Sequence, residues 1–171
     1  EPKEICDSGI VATIEGSKPG KTFLLRADMD AVELAGKGAF HGCGHHMHTA
    51  MLLGAARILK ENEDKLKNTV KLMFQPAEEI LEGAIDMISS GILHNPKPDA
   101  AVMIHVATGV DIPTGTLIFP GKGIIAPGAD YFEITVTGKG CHGSQPEKGI
   151  DPITASSHLI CALSNIRSME L

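Results

Sequence analysis

The sequence predicts an α/β layered domain followed by the beginning of a second unit. Three observations predict this. Strand-like and helix-like runs alternate over the first hundred residues, the order that lays helices against a sheet. Asp28, Glu78, Glu79 and His105 fall at the carboxyl ends of predicted strands, where such sheets gather ligands and catalytic groups. Proline and glycine then crowd the stretch 113–128, which marks a boundary and divides the chain into 1–122 and 123–171.

In chain order, Gly9-Ile-Val-Ala-Thr-Ile14 reads as a strand and Glu15-Gly-Ser-Lys-Pro-Gly20 as a turn. Lys21-Thr-Phe-Leu-Leu-Arg26 is a second strand, expected to form a hairpin with the first. It runs into Asp28-Met-Asp30, whose carboxylates at i and i+2 can share one side of the strand end. A helix is predicted from about Thr49 to Asn62, with Met51, Leu52, Ala55, Ala56, Ile58 and Leu59 at helical spacing. Thr69–Phe74 is a strand ending at Gln75-Pro-Ala-Glu-Glu79. Residues 80–90 read as a helix stopped by Gly91. Asp99–Ile104 reads as a buried apolar strand, with His105 directly after it.

Beyond the boundary, Asp130–Thr137 alternates with period two, as a half-buried strand does. Gly138–Pro146 is a loop. Residues 152–166 read as a helix, with Asp151 as N-cap and Pro152 at the first helical position. One strand and one helix do not make a stable domain, so this second unit is expected to be incomplete.

Composition excludes several classes. The 171 residues carry 43% apolar side chains, ordinary for a globular chain. There is no Trp and a single Tyr, and the net charge is −6, so neither base stacking nor phosphate binding is supported and no nucleic-acid partner is expected. No apolar run reaches the ~18 residues of a membrane span, and no leader pattern opens the chain. Cys6, Cys43, Cys141 and Cys161 are too widely spaced for a disulfide framework, which points to a reducing, cytoplasmic setting.

The chemistry concentrates in His41-Gly-Cys-Gly-His-His-Met-His48, which holds four of the eight histidines and one of the four cysteines. Thiolate and imidazole are the preferred ligands of zinc and similar ions. The glycine between Cys43 and His45 lets both side chains converge on one ion. A lone Cys-x-His could equally be a small buried cysteine beside surface histidines. The crowding of His41, His46 and His48 favours a metal, although the spacing leaves open which histidines bind it and which orient others.

Glu78 and Glu79 point in different directions, so one can bind a metal while the other acts as a general base. They could otherwise be a solvated first helical turn. Asp28 either supports a ligand histidine or closes an ion pair with Arg26. His105 is either a core histidine or a ligand. Joined to Cys43, His45 and Glu79, it makes a mixed N/O/S set suited to Mn, Zn, Co or Ni. His142, in a glycine-rich loop, is either a plain loop residue or a donor to a developing oxyanion.

Four motifs occur in order: Leu25-Arg-Ala-Asp-Met-Asp-Ala31, His41-x-Cys-Gly-His45-x-x-His48, Phe74-Gln-Pro-Ala-Glu-Glu79 and Gly138-x-Gly-x-His142-x-x-x-Pro146. Together they resemble the aminoacylase/carboxypeptidase amidohydrolases, the group of hippurate hydrolase and auxin-conjugate hydrolases. The resemblance implies an αβα metallopeptidase-like catalytic domain, incomplete here, and the start of an α+β lid and dimerisation domain. It also implies two divalent ions held by Cys43, His45, Glu79 and His105, with Glu78 as general base. Asp28, with His46 and His48, would support the ligands, and His142 would reach the substrate carbonyl oxygen. The substrate implied is an N-acyl amino acid, hydrolysed by a homodimer. A di- or carboxypeptidase of the same family and a non-catalytic metal-binding module are the rival readings.

The chain departs from the family pattern in two places. His46 stands where the family carries Asp. The stretch Val32–His41 is short. By the same resemblance, a helical region would be expected before Gly9, and further lid strands after Leu171.

Overall fold

The computed structural model of the chain describes residues 1–107, 109–125, 128 and 131–169. The chain divides into two compact units, Glu1–Thr114 and Gly115–Leu171.

The first unit contains β1 (Lys3–Cys6), β2 (Gly9–Ile14), β3 (Thr22–Asp28), β4 (Val32–Leu34), β5 (Gly38–Phe40), α1 (His45–Glu61), β6 (Thr69–Gln75), α2 (Gly83–Ser89) and β7 (Ala100–Met103). The main sheet has the order β1-β2-β6-β3-β7, while β4 and β5 form a separate two-stranded ribbon. β6 pairs parallel with β3 and antiparallel with β2, and β7 pairs parallel with β3. The architecture is therefore mixed α/β, as the alternation of elements predicts.

The expected hairpin of β2 with β3 does not form, because β6 lies between them. The connection 15–21 wraps instead around the chain entering β6. Two glycines permit the approach: a Cβ on Gly16 would lie 2.5 Å from Asn68 O, and one on Gly20 would lie 2.2 Å from Lys67 O. Ser17 N–H donates to Leu66 O at 2.7 Å, and Lys21 N–H donates to Asn68 Oδ1 at 3.1 Å. The true hairpin partner of β2 is β1, which the sequence pattern does not reveal.

β6 is central and packed on both faces, so it is almost wholly buried. Val70, Leu72 and Phe74 face one side, with Ile14, Ala27 and Leu52 of α1. Met73 faces the other, with Leu24, Met87 of α2 and Ile92. Period-two alternation thus sends one strand into two cores. Truncating a residue such as Leu72 to Ala costs about 2–5 kcal/mol.

α1 begins at His45, a full turn before the expected start near Thr49. Gly44, at φ 85°, ends the preceding loop in the left-handed region and sets that start. Histidine is a weak helix former, so the first turn carries little propensity signal. His45, His48 and Leu52 form the buried stripe. Met51 and Ile58, expected on the apolar face, are 40% and 63% exposed.

α2 is shorter than the expected 80–90, because Ala77 and Leu81 take φ of 50° and 60° and keep residues 77–82 in turns. Gly91, at φ 91°, follows its end. The predicted strand 99–104 is confined to β7, and it is exposed at the sheet edge instead of buried, since only β3 pairs with it.

In the second unit, α3 (Pro152–Met169) is capped by Asp151, whose Oδ1 accepts Ile153 N–H at 2.9 Å and whose Oδ2 accepts the Thr154 hydroxyl at 2.5 Å. Those bonds, the Thr154 hydroxyl first, hold the Asp151 carboxyl below its usual range. The strand expected over 130–137 is not formed among the described residues: 131–138 have no ladder partner, and alternation without a partner satisfies no backbone group. Pro127 of the predicted boundary and Asp130 of that strand lie outside the described residues. All four cysteines are free. Among the described residues, no helix is long and apolar enough to cross a membrane.

Candidate metal centre

Three loops of the first unit meet at one point. The end of β3 brings Asp28 and Asp30. The loop into α1 brings Cys43 and His45. The loop after β6 brings Glu78 and Glu79. Their convergence follows from the sheet: β3 and β6 are parallel neighbours with Asp28 opposite Gln75, so their carboxyl ends lie side by side. Arg26 ties them further, donating from Nε to Gln75 Oε1 at 2.9 Å and from an Nη to Asp28 Oδ2 at 2.7 Å.

Glycines set the loop shapes. A Cβ on Gly44 would lie 2.4 Å from Val106 Cγ2, so the residue between Cys43 and His45 must lack one. A Cβ on Gly83 would lie 1.6 Å from Pro76 O. This lets α2 press against the Glu78–Glu79 loop, where Gly83 N–H donates to Ala77 O at 3.0 Å.

His45 is the hub. Its side chain is 1% exposed. Nδ1 lies 3.0 Å from both the carbonyl oxygen and Oδ1 of Asp30, so it carries the ring proton and donates it. Nε2 is therefore a bare lone pair. Among the described residues it is the single buried side-chain nitrogen or oxygen with no hydrogen-bond partner. It faces Asp28 Oδ2 at 3.7 Å, Glu78 Oε2 at 3.7 Å and Glu79 Oε1 at 3.9 Å. A lone pair confronting three carboxylate oxygens is repulsive without a cation. Separations just under 4 Å suit donors that share an ion at about 2.0–2.2 Å each.

Three overlapping sets of donors meet at His45. Cys43 Sγ lies 3.4 Å from His105 Nε2, and with His45 they form a thiol–imidazole set within ligating reach. His105 Nδ1 lies 2.6 Å from Val106 O and donates to it, which leaves Nε2 free to bind. His45, Glu78 and Glu79 form another set, and Asp28, His45 and His48 lie within the same reach as a third, although both ring nitrogens of His48 are already hydrogen-bonded. The donors suit divalent transition ions in type and spacing, and all three sets share His45.

His48 has no lone pair to spare. Its Nδ1 donates to Asp28 Oδ1 at 2.5 Å, and its Nε2 accepts Val106 N–H at 2.9 Å. It thereby ties the end of β3 to the segment carrying His105, whose ring centroid is 4.6 Å away. Asp28 is buried, which by itself would raise its carboxyl; the His48 hydrogen bond and the Arg26 charge outweigh that and hold it below the usual value. Burial pushes the Cys43 thiol up, and Glu79, Glu78, Asp28 and Asp30 add to the effect. A cation among these groups would reverse both influences on the thiol.

The structure thus brings together Asp28, Cys43, His45, His48, Glu78, Glu79 and His105. It does not bring in His46, which is exposed and sets its ring 4.9 Å from that of His41. His142 belongs to the second unit, on an exposed loop. Asp30 is the residue sequence reasoning undervalued. It holds the Nδ1 of His45 and also accepts Glu79 N–H on Oδ2 at 2.9 Å. The Asp-x-Asp spacing at a strand end was its signal.

An αβ sheet with this donor set at its strand ends defines a metallohydrolase-like class, and residues 24–163 match peptidase family M20/M25/M40. The chain belongs to that family. It is 41% identical over 174 residues to the N-acetyl-L-cysteine deacetylase of Bacillus subtilis, with 96% of this chain and 41% of the relative covered. It is 40% identical over 176 residues to thermostable carboxypeptidase 1 of Saccharolobus solfataricus, with 96% of this chain and 44% of that protein covered. A solved Bacillus subtilis structure, described as a dinuclear metal-binding peptidase of the M20 family, superposes with a TM-score of 0.54 at 34% identity, covering 59% of this chain and 31% of the other. The chain spans 41% and 44% of the length of these two curated relatives.

Proposed function

We propose that the protein is a metal-dependent amidohydrolase that cleaves the amide of N-acyl amino acids. The observation that carries this is the buried Nε2 of His45, unpartnered and facing Asp28, Glu78 and Glu79. In this reading Cys43, His45, Glu79 and His105 hold two divalent ions of the Zn, Mn, Co or Ni kind. Bound there, the ions polarise an amide carbonyl and acidify water.

The chain's own residues do the rest. Glu78, 36% exposed beside the cluster, takes the proton of the attacking water and passes it to the departing nitrogen. Asp28, Asp30 and His48 hold the ligands in orientation. His142 donates to the carbonyl oxygen as charge develops on it. A spare carboxylate beside the ligands favours catalysis over a structural site, which is closed by four protein ligands. Free cysteines support a reducing, cytoplasmic setting, and Ile153 and Ile160, 79% and 63% exposed on α3, support self-association through the second unit.

The test uses the full-length, metal-loaded protein with hippurate and an N-acetyl amino acid. Glu78→Gln should cut turnover by about 10²–10⁴-fold while metal stays bound. Retained activity would remove Glu78 from its role. The likeness to a carboxypeptidase supports a second reading, peptide cleavage at the same site. A dipeptide assayed beside its acyl analogue separates the two.

A further inference from the structure

His142 stands on a loop that is closed at its base. Lys139 and Ile150 exchange both backbone hydrogen bonds, at 3.0 and 2.9 Å. Gly149 lies where a Cβ would meet Cys141 Sγ at 2.5 Å, and Gly138 where one would meet Pro152 at 2.5 Å. Inside the loop, Gln145 N–H donates to His142 O at 2.8 Å, and a single 3₁₀ turn follows at Pro146–Lys148. The backbone around His142 is therefore fixed by hydrogen bonds and close packing, although the residue is exposed.

The ring itself is held by one residue. Ser144 N–H donates to His142 Nδ1 at 3.2 Å, and Ser144 Oγ lies 2.9 Å from the same nitrogen. A backbone N–H can only donate, so Nδ1 must present its lone pair. A neutral imidazole then carries its proton on Nε2, the nitrogen farther from the backbone. The opposite tautomer would turn a lone pair outward, and a lone pair repels a developing oxyanion.

We propose that Ser144 is a positioning residue that fixes His142 in the Nε2–H tautomer and sets its ring so that Nε2–H is presented to the substrate's carbonyl oxygen. This rests on the reading of His142 as the oxyanion donor. The backbone N–H supplies the bias in proton position. The hydroxyl supplies the second contact, which stops the ring from turning about its bond to Cβ. Part of the donor's preorganisation thus resides in the third residue of the sequence His142-Gly-Ser144.

The experiment is ¹⁵N NMR of histidine-labelled, zinc-loaded full-length protein, with His142→Ala identifying the His142 signals. The expected result is protonated Nε2 and unprotonated Nδ1 in the native protein. Ser144→Ala keeps the backbone N–H, so the Nε2–H tautomer should persist, while loss of the hydroxyl contact should shift the Nδ1 signal and lower kcat by about fivefold, the worth of one neutral hydrogen bond, with KM unchanged. Ser144→Thr keeps the hydroxyl and should restore both. A native Nδ1–H tautomer overturns the proposal, as does a Ser144→Ala protein that matches the native one in both signals and kcat. His142→Ala with undiminished kcat would instead strike the oxyanion role of His142, and the NMR result would still decide what Ser144 does to the ring.

Discussion

Asp30 and His45 are joined twice, through the carbonyl oxygen and Oδ1 of Asp30, each 3.0 Å from His45 Nδ1. The other carboxylate oxygen accepts the backbone N–H of Glu79 at 2.9 Å. One side chain thus fixes the tautomer of one ligand and the loop position of another. Asp30→Ala should lower metal affinity about 10–100-fold, the usual range for losing such a support, without unfolding the chain. Competition against a chromophoric chelator measures the first effect, and circular dichroism checks the second.

Gly44→Ala meets two obstacles at once, a backbone φ of +85° and a Cβ 2.4 Å from Val106 Cγ2. A non-glycine residue held there costs about 1–3 kcal/mol, and relief of the clash must move either Cys43 and His45 or the segment carrying His105. The variant should melt earlier and bind metal more weakly. A thermal melt with and without zinc reads both.

Lys71 lies on the face of β6 away from α1. Its ammonium reaches the carbonyl oxygens of Ile92 at 2.6 Å, His94 at 2.5 Å and Pro96 at 3.3 Å. Burial draws its pKa down, yet these acceptors use all three of its donors. Lys71→Met leaves the carbonyls without that partner and should cost about 1–3 kcal/mol of stability. Metal affinity should stay unchanged, since the loop 92–96 holds none of the ligands. Urea unfolding and a metal titration on the same variant separate the two.

Asp28 gives a pH signature. Its carboxyl lies below its ordinary range in the fold, so the unfolded chain binds the proton more readily. The stabilisation is complete above the unfolded value, about 3.9, and is lost as pH falls below it toward the folded value. Metal-free protein should therefore lose melting temperature steeply below about pH 4. Asp28→Asn should flatten that slope. An unchanged slope would show that other carboxylates carry the acid sensitivity.

Local signals made much of this legible. β2, β3 and β6 were readable from apolar and β-branched runs between turn residues, and the helix after the histidine cluster from its spacing. Cys43, His45, Glu79 and His105 could be singled out as candidates from their residue types and places in the chain, but the residues alone left open which of them bind a metal, and only the family resemblance implied the set of four. What depends on the partner strand was not readable. Nothing within 9–26 says that β6 will enter between β2 and β3, because that choice is made by residues some fifty positions later. The alternation in 131–137 describes a face without telling what covers it. The role of Asp30 was hidden for the same reason, since it acts on His45 and on a loop that begins after Gln75.

The placing of β6 also bears on how the site comes into being. β1 and β2 are the only sheet neighbours that follow each other in sequence within the five-stranded sheet. Every other pairing there closes a long loop of chain, the kind of contact that forms slowly because entropy is lost before any contact repays it. A chain emerging from the ribosome displays Cys43 and His45 well before Thr69–Gln75 exists to bring Glu78 and Glu79 beside them. Through that interval the thiol and imidazoles are exposed without their carboxylate partners. Assembly of the candidate site thus waits on chain made after its first donors: β6 must enter the sheet before Glu78 and Glu79 can stand beside Cys43 and His45, and His105 follows later still.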